Sequence, residues 1–141
     1  MNKFLPVFAA AAVLLAGCMA GQYGTGHITP EDTIALQLES WRTAMQSQDV
    51  DAIMACFSDR FEHHSLHNKE AMRSFITQAI EQGQLDGLTI DFEDARIKAD
   101  SDVGSVYPVE LTGNFGAMRM ELIVRRTNGA WLITGLDAPE L

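Results

Sequence analysis

Glu62, His63, His64 and His67 form the densest group of proton-handling side chains in this chain. Histidine titrates near neutral pH, so a positioned imidazole moves protons without extreme tuning of its surroundings. His63 is the candidate catalytic base, with Glu110 or Tyr107 brought to it from elsewhere in the chain. Those two are of opposite parity, so at most one of them shares a side with His63. No nucleophile, base and orienting group stand out together. A metal would require ligands that converge, and an extended segment sends His63 and His64 to opposite faces. Neither the spacing nor a second-shell partner is in place, so no metal and no cofactor is expected.

The two cysteines are Cys18 and Cys56. Cys56 lies between Ile53 and Phe57 on an apolar stripe, which reads as a buried, inert thiol. A nucleophilic role would require an accessible, electropositive site.

The elements that must position these groups can be read in order. Thr29 is an N-cap, Pro30 the first helical residue, and Glu31 and Asp32 are acids in the first turn. Ile34, Leu38, Trp41 and Met45 then follow helical spacing and make one buried face. Trp41 on that face is either core or a pocket wall. Asp49 caps a short second helix carrying Val50, Ile53 and Phe57, and Ser58-Asp59 ends it. Arg60 to Ser65 alternates as a brief strand with Phe61, His63 and Ser65 on the inward face. Asn68 caps a third helix, Lys69 to Gln82, with Met72, Phe75, Ile76, Ala79 and Ile80 as its stripe and Gly83 as its stop.

Beyond Gly87 the pattern is that of strands. Apolar residues occupy even positions at Leu88, Ile90 and Phe92 but odd positions at Ile97 and Ala99. A regular strand cannot change parity, so a bulge or bend is predicted near Glu93-Asp94. Tyr107, Val109, Leu111 and Phe115 continue on odd positions, and Pro108 implies a bulge or an unpaired amide. Met118, Met120, Leu122 and Val124 form the next strand, and Thr127-Asn128-Gly129 turns into the last, Ala130 to Leu136. Helices segregated from strands give an α+β domain: three N-terminal helices packed on a strongly bent, mostly antiparallel sheet.

The ends and the charge bound the setting. Met1-Asn2-Lys3 precedes an apolar run from Phe4 to Leu15, shorter than the roughly twenty residues a membrane span needs and suited to a signal peptide. Leu15-Ala16-Gly17-Cys18 resembles the lipobox of bacterial lipoproteins, in which the cysteine is lipidated and becomes the first residue. The alternative is an ordinary secretory signal cut near Ala20. The expected organisation is a leader at 1–17, a tether at 18–28 beginning with lipidated Cys18, and a domain at 29–141. The anchored domain would lie outside the cytoplasm, on the outer membrane facing the periplasm if the cell is Gram-negative. The formal net charge is −9, and loss of Lys3 with the leader makes it more negative. An acidic domain is a poor partner for nucleic acid and is repelled by anionic lipid, so the contact with the membrane is expected through the N-terminal lipid.

This order of elements, with the first helix carrying Trp41, Gln48-Asp49-Val50-Asp51-Ala52-Ile53 leading to Phe57-Ser58-Asp59, Asn68-Lys69-Glu70-Ala71-Met72, and Asn128-Gly129-Ala130-Trp131-Leu132-Ile133, resembles the nuclear transport factor 2-like superfamily in its SnoaL-like and ketosteroid-isomerase-like branch. The resemblance spans Glu31 to Asp137. It implies a cone-shaped, cystatin-like arrangement, often with a deep pocket at the open end, and dimerisation through the sheet. In the isomerase branch it implies a carboxylate base on the short strand after the second helix and a tyrosine on the first helix. Here the first place falls on or near Ser65, which cannot serve as that base, and the first helix has no tyrosine. Such folds host many activities, so the site must decide. The ligand-pocket candidates are Trp41, His63, Ser65, Tyr107 and Met120. Met45, Met54, Met72, Met118 and Met120 either line an adaptable apolar cavity or are ordinary core. Two functions follow: a binding or accessory module for a small apolar or amphipathic ligand, and a small acid–base enzyme using His63.

Overall fold

The computed structural model describes residues 26–138, so the leader, Cys18 and most of the tether lie outside the described residues. The Thr29 hydroxyl accepts from the Asp32 amide at 3.1 Å, and the Asp32 carboxylate accepts from the Thr29 amide at 3.0 Å. This capping box satisfies two donors that the first turn leaves without partners and starts α1 (Pro30–Gln46). Asp49 caps α2 (Val50–Ala55) by accepting from the Ala52 amide, and Asn68 caps α3 (Lys69–Glu81) by accepting from the Ala71 amide. Each cap stands where the sequence places it. Among the described residues no helix is long and apolar enough to cross a membrane.

The strands are β1 (Thr89–Asp91), β2 (Arg96–Asp100), β3 (Val103–Gly113), β4 (Gly116–Thr127) and β5 (Ala130–Asp137), in the antiparallel order β1-β3-β4-β5 with β2 also on β3. The first of four expected strands is thus split in two. β1 pairs with residues 110–112 and β2 with residues 103–107, end to end along one edge of β3. The break at Phe92–Ala95 is the bend that the parity change predicts. On the other edge of β3, Val106 faces Leu122 and Val109 faces Met120, so Tyr107 and Pro108 share Glu121. Both edges of β3 deform at the same level, and bulges of this kind bend a sheet around what it covers.

Arg60 to Ser65 is not a strand. The Phe61 amide donates to the Ser58 carbonyl at 3.0 Å and the His67 amide to the His63 carbonyl at 2.8 Å, so two turns replace the extended segment. The stretch is fixed to β5 by Ser58 N–H to the Ile133 carbonyl, Ile133 N–H to the Cys56 carbonyl and Glu62 N–H to the Thr134 carbonyl, at 2.8, 2.8 and 3.1 Å. Thr134 stands at a second register shift, between Ile123 and Val124 of β4, which frees its carbonyl for Glu62.

The core lies between the helices and the sheet. Ile34, Leu38 and Trp41 of α1, Ile53, Phe57 and Phe61, and Val106, Val109, Leu122, Val124, Trp131 and Ile133 of the sheet are all buried. α1 comes close to the sheet at Gly104, where an added Cβ would lie 2.7 Å from Ile34 Cδ1, 3.0 Å from Val124 Cγ2 and 3.1 Å from the Lys98 carbonyl oxygen.

Candidate functional site

A cavity of about 360 Å³ lies beside the core. α1 supplies Trp41 and Met45; α3 supplies Met72, Phe75, Ile76 and Ala79; the sheet supplies Leu111, Met118, Met120 and Leu136. Phe57, Leu66, Leu85 and Phe115 help to close it. Among the described residues no ionisable side chain lines this cavity, and Gln84 is the one amide side chain. Its size and apolar walls are those of a small-molecule site, which usually adds a few placed polar groups to such a lining. Four methionines, Met45, Met72, Met118 and Met120, are among the walls, while Met54 is buried elsewhere. Methionine side chains adapt to irregular ligands.

Trp41 is 3 % exposed, and its Nε1 has no hydrogen-bond partner among the described residues. Leaving a buried donor unpaired costs about 1–3 kcal/mol. Trp41 and Met120 are among the residues lining the cavity; His63, Ser65 and Tyr107 are not.

His63 is 7 % exposed and absent from the lining. Its Nδ1 accepts from the Ser65 and Leu66 amides, each at 3.2 Å. A nitrogen that accepts carries no proton, so these bonds assign the neutral ring its hydrogen on Nε2, which has no partner among the described residues. Burial pushes its pKa below the ordinary histidine value; His64, with ring centroids 4.2 Å apart, and His67 act in the same sense, and Asp137 opposes them. The lone pair a base would use is already engaged by two amides. His63 shapes a turn.

Ser65 is exposed on that turn and contributes its backbone amide to it. Tyr107 is 48 % exposed on the outer side of the sheet. The bulge explains this: Gly104 and Val106 are buried before it and Val109 and Leu111 after it, so inward parity changes from even to odd just beyond Tyr107. Glu110, also outside, receives Arg119 Nε at 2.9 Å across the β3–β4 pair. The structure brings neither Tyr107 nor Glu110 to His63. Glu62, His64 and His67 are exposed, and among the described residues no three His, Cys, Asp or Glu side chains gather as metal ligands. Cys56 is buried, burial raises its pKa, and its Sγ lies 3.5 Å from the Ala52 carbonyl.

A second, polar groove of about 880 Å³ runs between Asp59, Arg60, Glu62 and Lys69 on one side and Asp102, Arg125 and Arg126 on the other. Lys69 pairs with Asp59 at 3.0 Å and Arg126 with Asp102 at 2.7 Å. Its charges are of mixed sign and solvent-exposed, where ion pairs are worth little.

Sequence reasoning missed Leu66, Phe115 and Leu136 as cavity walls. Leu66 sits in a turn, where no periodicity marks it, and Phe115, though on the odd apolar positions, lies in the turn between β3 and β4, where alternation does not decide which way a side chain faces.

The model of the SnoaL-like domain matches residues 34–136 of this chain. A comparison with the curated proteins finds no match. Among solved structures, a protein of unknown function with a cystatin-like fold from Nostoc punctiforme is similar at 16 % identity and a TM-score of 0.63, over 78 % of this chain and 91 % of that one. A nuclear transport factor 2-like protein of unknown function from Pseudomonas putida is similar at 17 % identity and a TM-score of 0.65, over 77 % and 84 %. A ketosteroid isomerase-like protein from Erwinia carotovora is similar at 14 % identity and a TM-score of 0.60, over 75 % and 92 %. At these identities the likeness is one of fold.

Proposed function

The chain belongs to the SnoaL-like domain family, and from that premise we propose that it is a lipid-anchored envelope protein whose domain binds a small apolar ligand without transforming it. The observation that supports binding is the cavity of about 360 Å³ with no ionisable side chain among the described residues of its wall. General acid–base chemistry needs a titratable group within hydrogen-bond reach of the reacting atom, and the described residues of this lining offer none. The isomerase-like neighbour lends the enzyme reading no residue here, because His63 spends its Nδ1 on two backbone amides.

The test uses N-phenyl-1-naphthylamine, a neutral apolar fluorophore. Binding predicts a saturable rise in its emission at one molecule per chain and a higher melting temperature, since a ligand specific to the folded state stabilises it. Emission that never saturates, with no thermal shift, refutes the binding reading.

The anchor is proposed from Leu15-Ala16-Gly17-Cys18. Mass spectrometry of the mature protein should find an acylated Cys18 as first residue. An unmodified terminus downstream of Cys18 refutes it.

A further inference from the structure

The turn from His63 to His67 is closed by one ring and one peptide group. His63 Nδ1 accepts from the Ser65 and Leu66 amides at 3.2 Å each, and the His63 carbonyl accepts from the His67 amide at 2.8 Å. Leu66, held by these bonds, packs on the core and lines the apolar cavity. A neutral imidazole has one acceptor nitrogen, whereas an imidazolium has none, because both nitrogens then donate. A proton on Nδ1 sets a new N–H against two amide N–H groups. Turning the ring over does not help, since Nε2 is protonated as well. The turn keeps its shape only around a neutral ring. Burial is the first influence opposing a charge there; His64 and His67 of the same segment oppose it too, and Asp137 of β5 favours it. Glu62, the remaining charged neighbour in the segment, is exposed. Asp137 stands between Leu136 and Ala138, which both line the cavity. A charged ring is thus repelled by the amides beside one cavity wall and attracted toward another.

Resting on the reading of this cavity as a ligand site, we propose that His63 is its proton-operated latch: the neutral ring holds Leu66 in the cavity wall, and a proton on Nδ1 opens the turn and releases the ligand. Binding and protonation are then reciprocal. Whatever factor acid removes from ligand affinity, a bound ligand removes from the affinity of the ring for its proton.

The experiment titrates the full chain with N-phenyl-1-naphthylamine at pH 7.5 and at the lowest pH, down to about 5, at which the circular dichroism of the free protein is unchanged. The wild type should bind at least about threefold more weakly at the lower pH, because only the fraction with a neutral ring is competent. His63→Asn keeps an acceptor in place and does not titrate, so its affinity should be the same at both. His64→Gln should still lose affinity in acid, since it retains His63. A second readout requires no variant: in the wild type the His63 ring resonances, assigned through their bonds to the backbone, should titrate at a lower pH with the fluorophore bound than without it. An affinity that does not change with pH, an acid loss equal in the wild type and His63→Asn, or the same ring titration with and without the fluorophore overturns the latch and leaves the cavity a ligand site. If the fluorophore does not bind at pH 7.5, the ligand-site reading falls and this inference falls with it.

Discussion

The Nδ1 of His63 lies 3.2 Å from the backbone nitrogen of Leu66, and Leu66 is a wall of the apolar cavity. An imidazole outside the cavity therefore sets one of its boundaries. The geometry is that of an Asx-turn, in which a side-chain acceptor bonds amides two and three residues on, with Nδ1 in place of an asparagine oxygen. His63→Ala should lose about 1–3 kcal/mol by urea denaturation, because both amides lose their acceptor. His63→Asn should recover most of that loss and restore the affinity for N-phenyl-1-naphthylamine. Equal damage from the two variants would show that ring packing, not the acceptor, is what matters.

The same residue imposes a pH dependence. Burial lowers the folded pKa of His63 below its ordinary value of about 6.5. Below pH 6.5 the unfolded chain takes the proton first, so stability is fully present above that pH and declines as pH falls toward the folded value. His64 and His67 reinforce the shift and Asp137 opposes it. Urea midpoints measured at pH 7.5 and 5.5 should drop more for the wild type than for His63→Asn, which has nothing to titrate there. Parallel drops would assign the acid sensitivity to other groups.

The close approach of α1 to the sheet makes a third prediction. A Cβ at Gly104 would meet Ile34 Cδ1 at 2.7 Å, Val124 Cγ2 at 3.0 Å and the Lys98 carbonyl at 3.1 Å. The first is a flexible tip, the second a stiff β-branched side chain and the third backbone, so Gly104→Ala should cost about 1–3 kcal/mol as an overpacked contact. Ile34→Val removes the tip. The double mutant should therefore be at least about 0.5 kcal/mol more stable than the sum of the single losses, since residues in contact couple. Strict additivity would place the strain at Val124 or the Lys98 carbonyl instead.

What could be read from the sequence was whatever is settled locally. Thr29, Asp49 and Asn68 cap their helices through contacts within three residues, so each start is visible in the chain. The bend between β1 and β2 was visible as well, because apolar parity changes there. Tyr107 shows where this stops. Pro108 signals an irregularity, but the pairing of β3 with β4 decides on which side of the shift Tyr107 falls, and that pairing is nonlocal. His63 fails for a similar reason. Alternation placed it inward on a strand, whereas tethering to β5 closes its segment into turns. Trp41 and Met120 were legible as inward residues, yet the hollow between them depends on how α3 stands off the sheet.

Filling that hollow separates a ligand site from a packing defect. Ala79 of α3 is buried and lines the cavity, and leucine is nearly as good a helix former as alanine. Ala79→Leu projects three more carbons into space that the wild type leaves empty. Cavity filling commonly adds about 0.5–2 kcal/mol of stability, so the variant should unfold at equal or higher urea concentration. It should also lose at least about tenfold in affinity for N-phenyl-1-naphthylamine, because the added side chain competes for the same volume. Gain of stability together with loss of binding is the stability–function exchange expected when a protein keeps a cavity open for a ligand. A variant that binds the fluorophore unchanged would move the binding site elsewhere, and the polar groove between Arg60 and Arg125 would be the next place to probe.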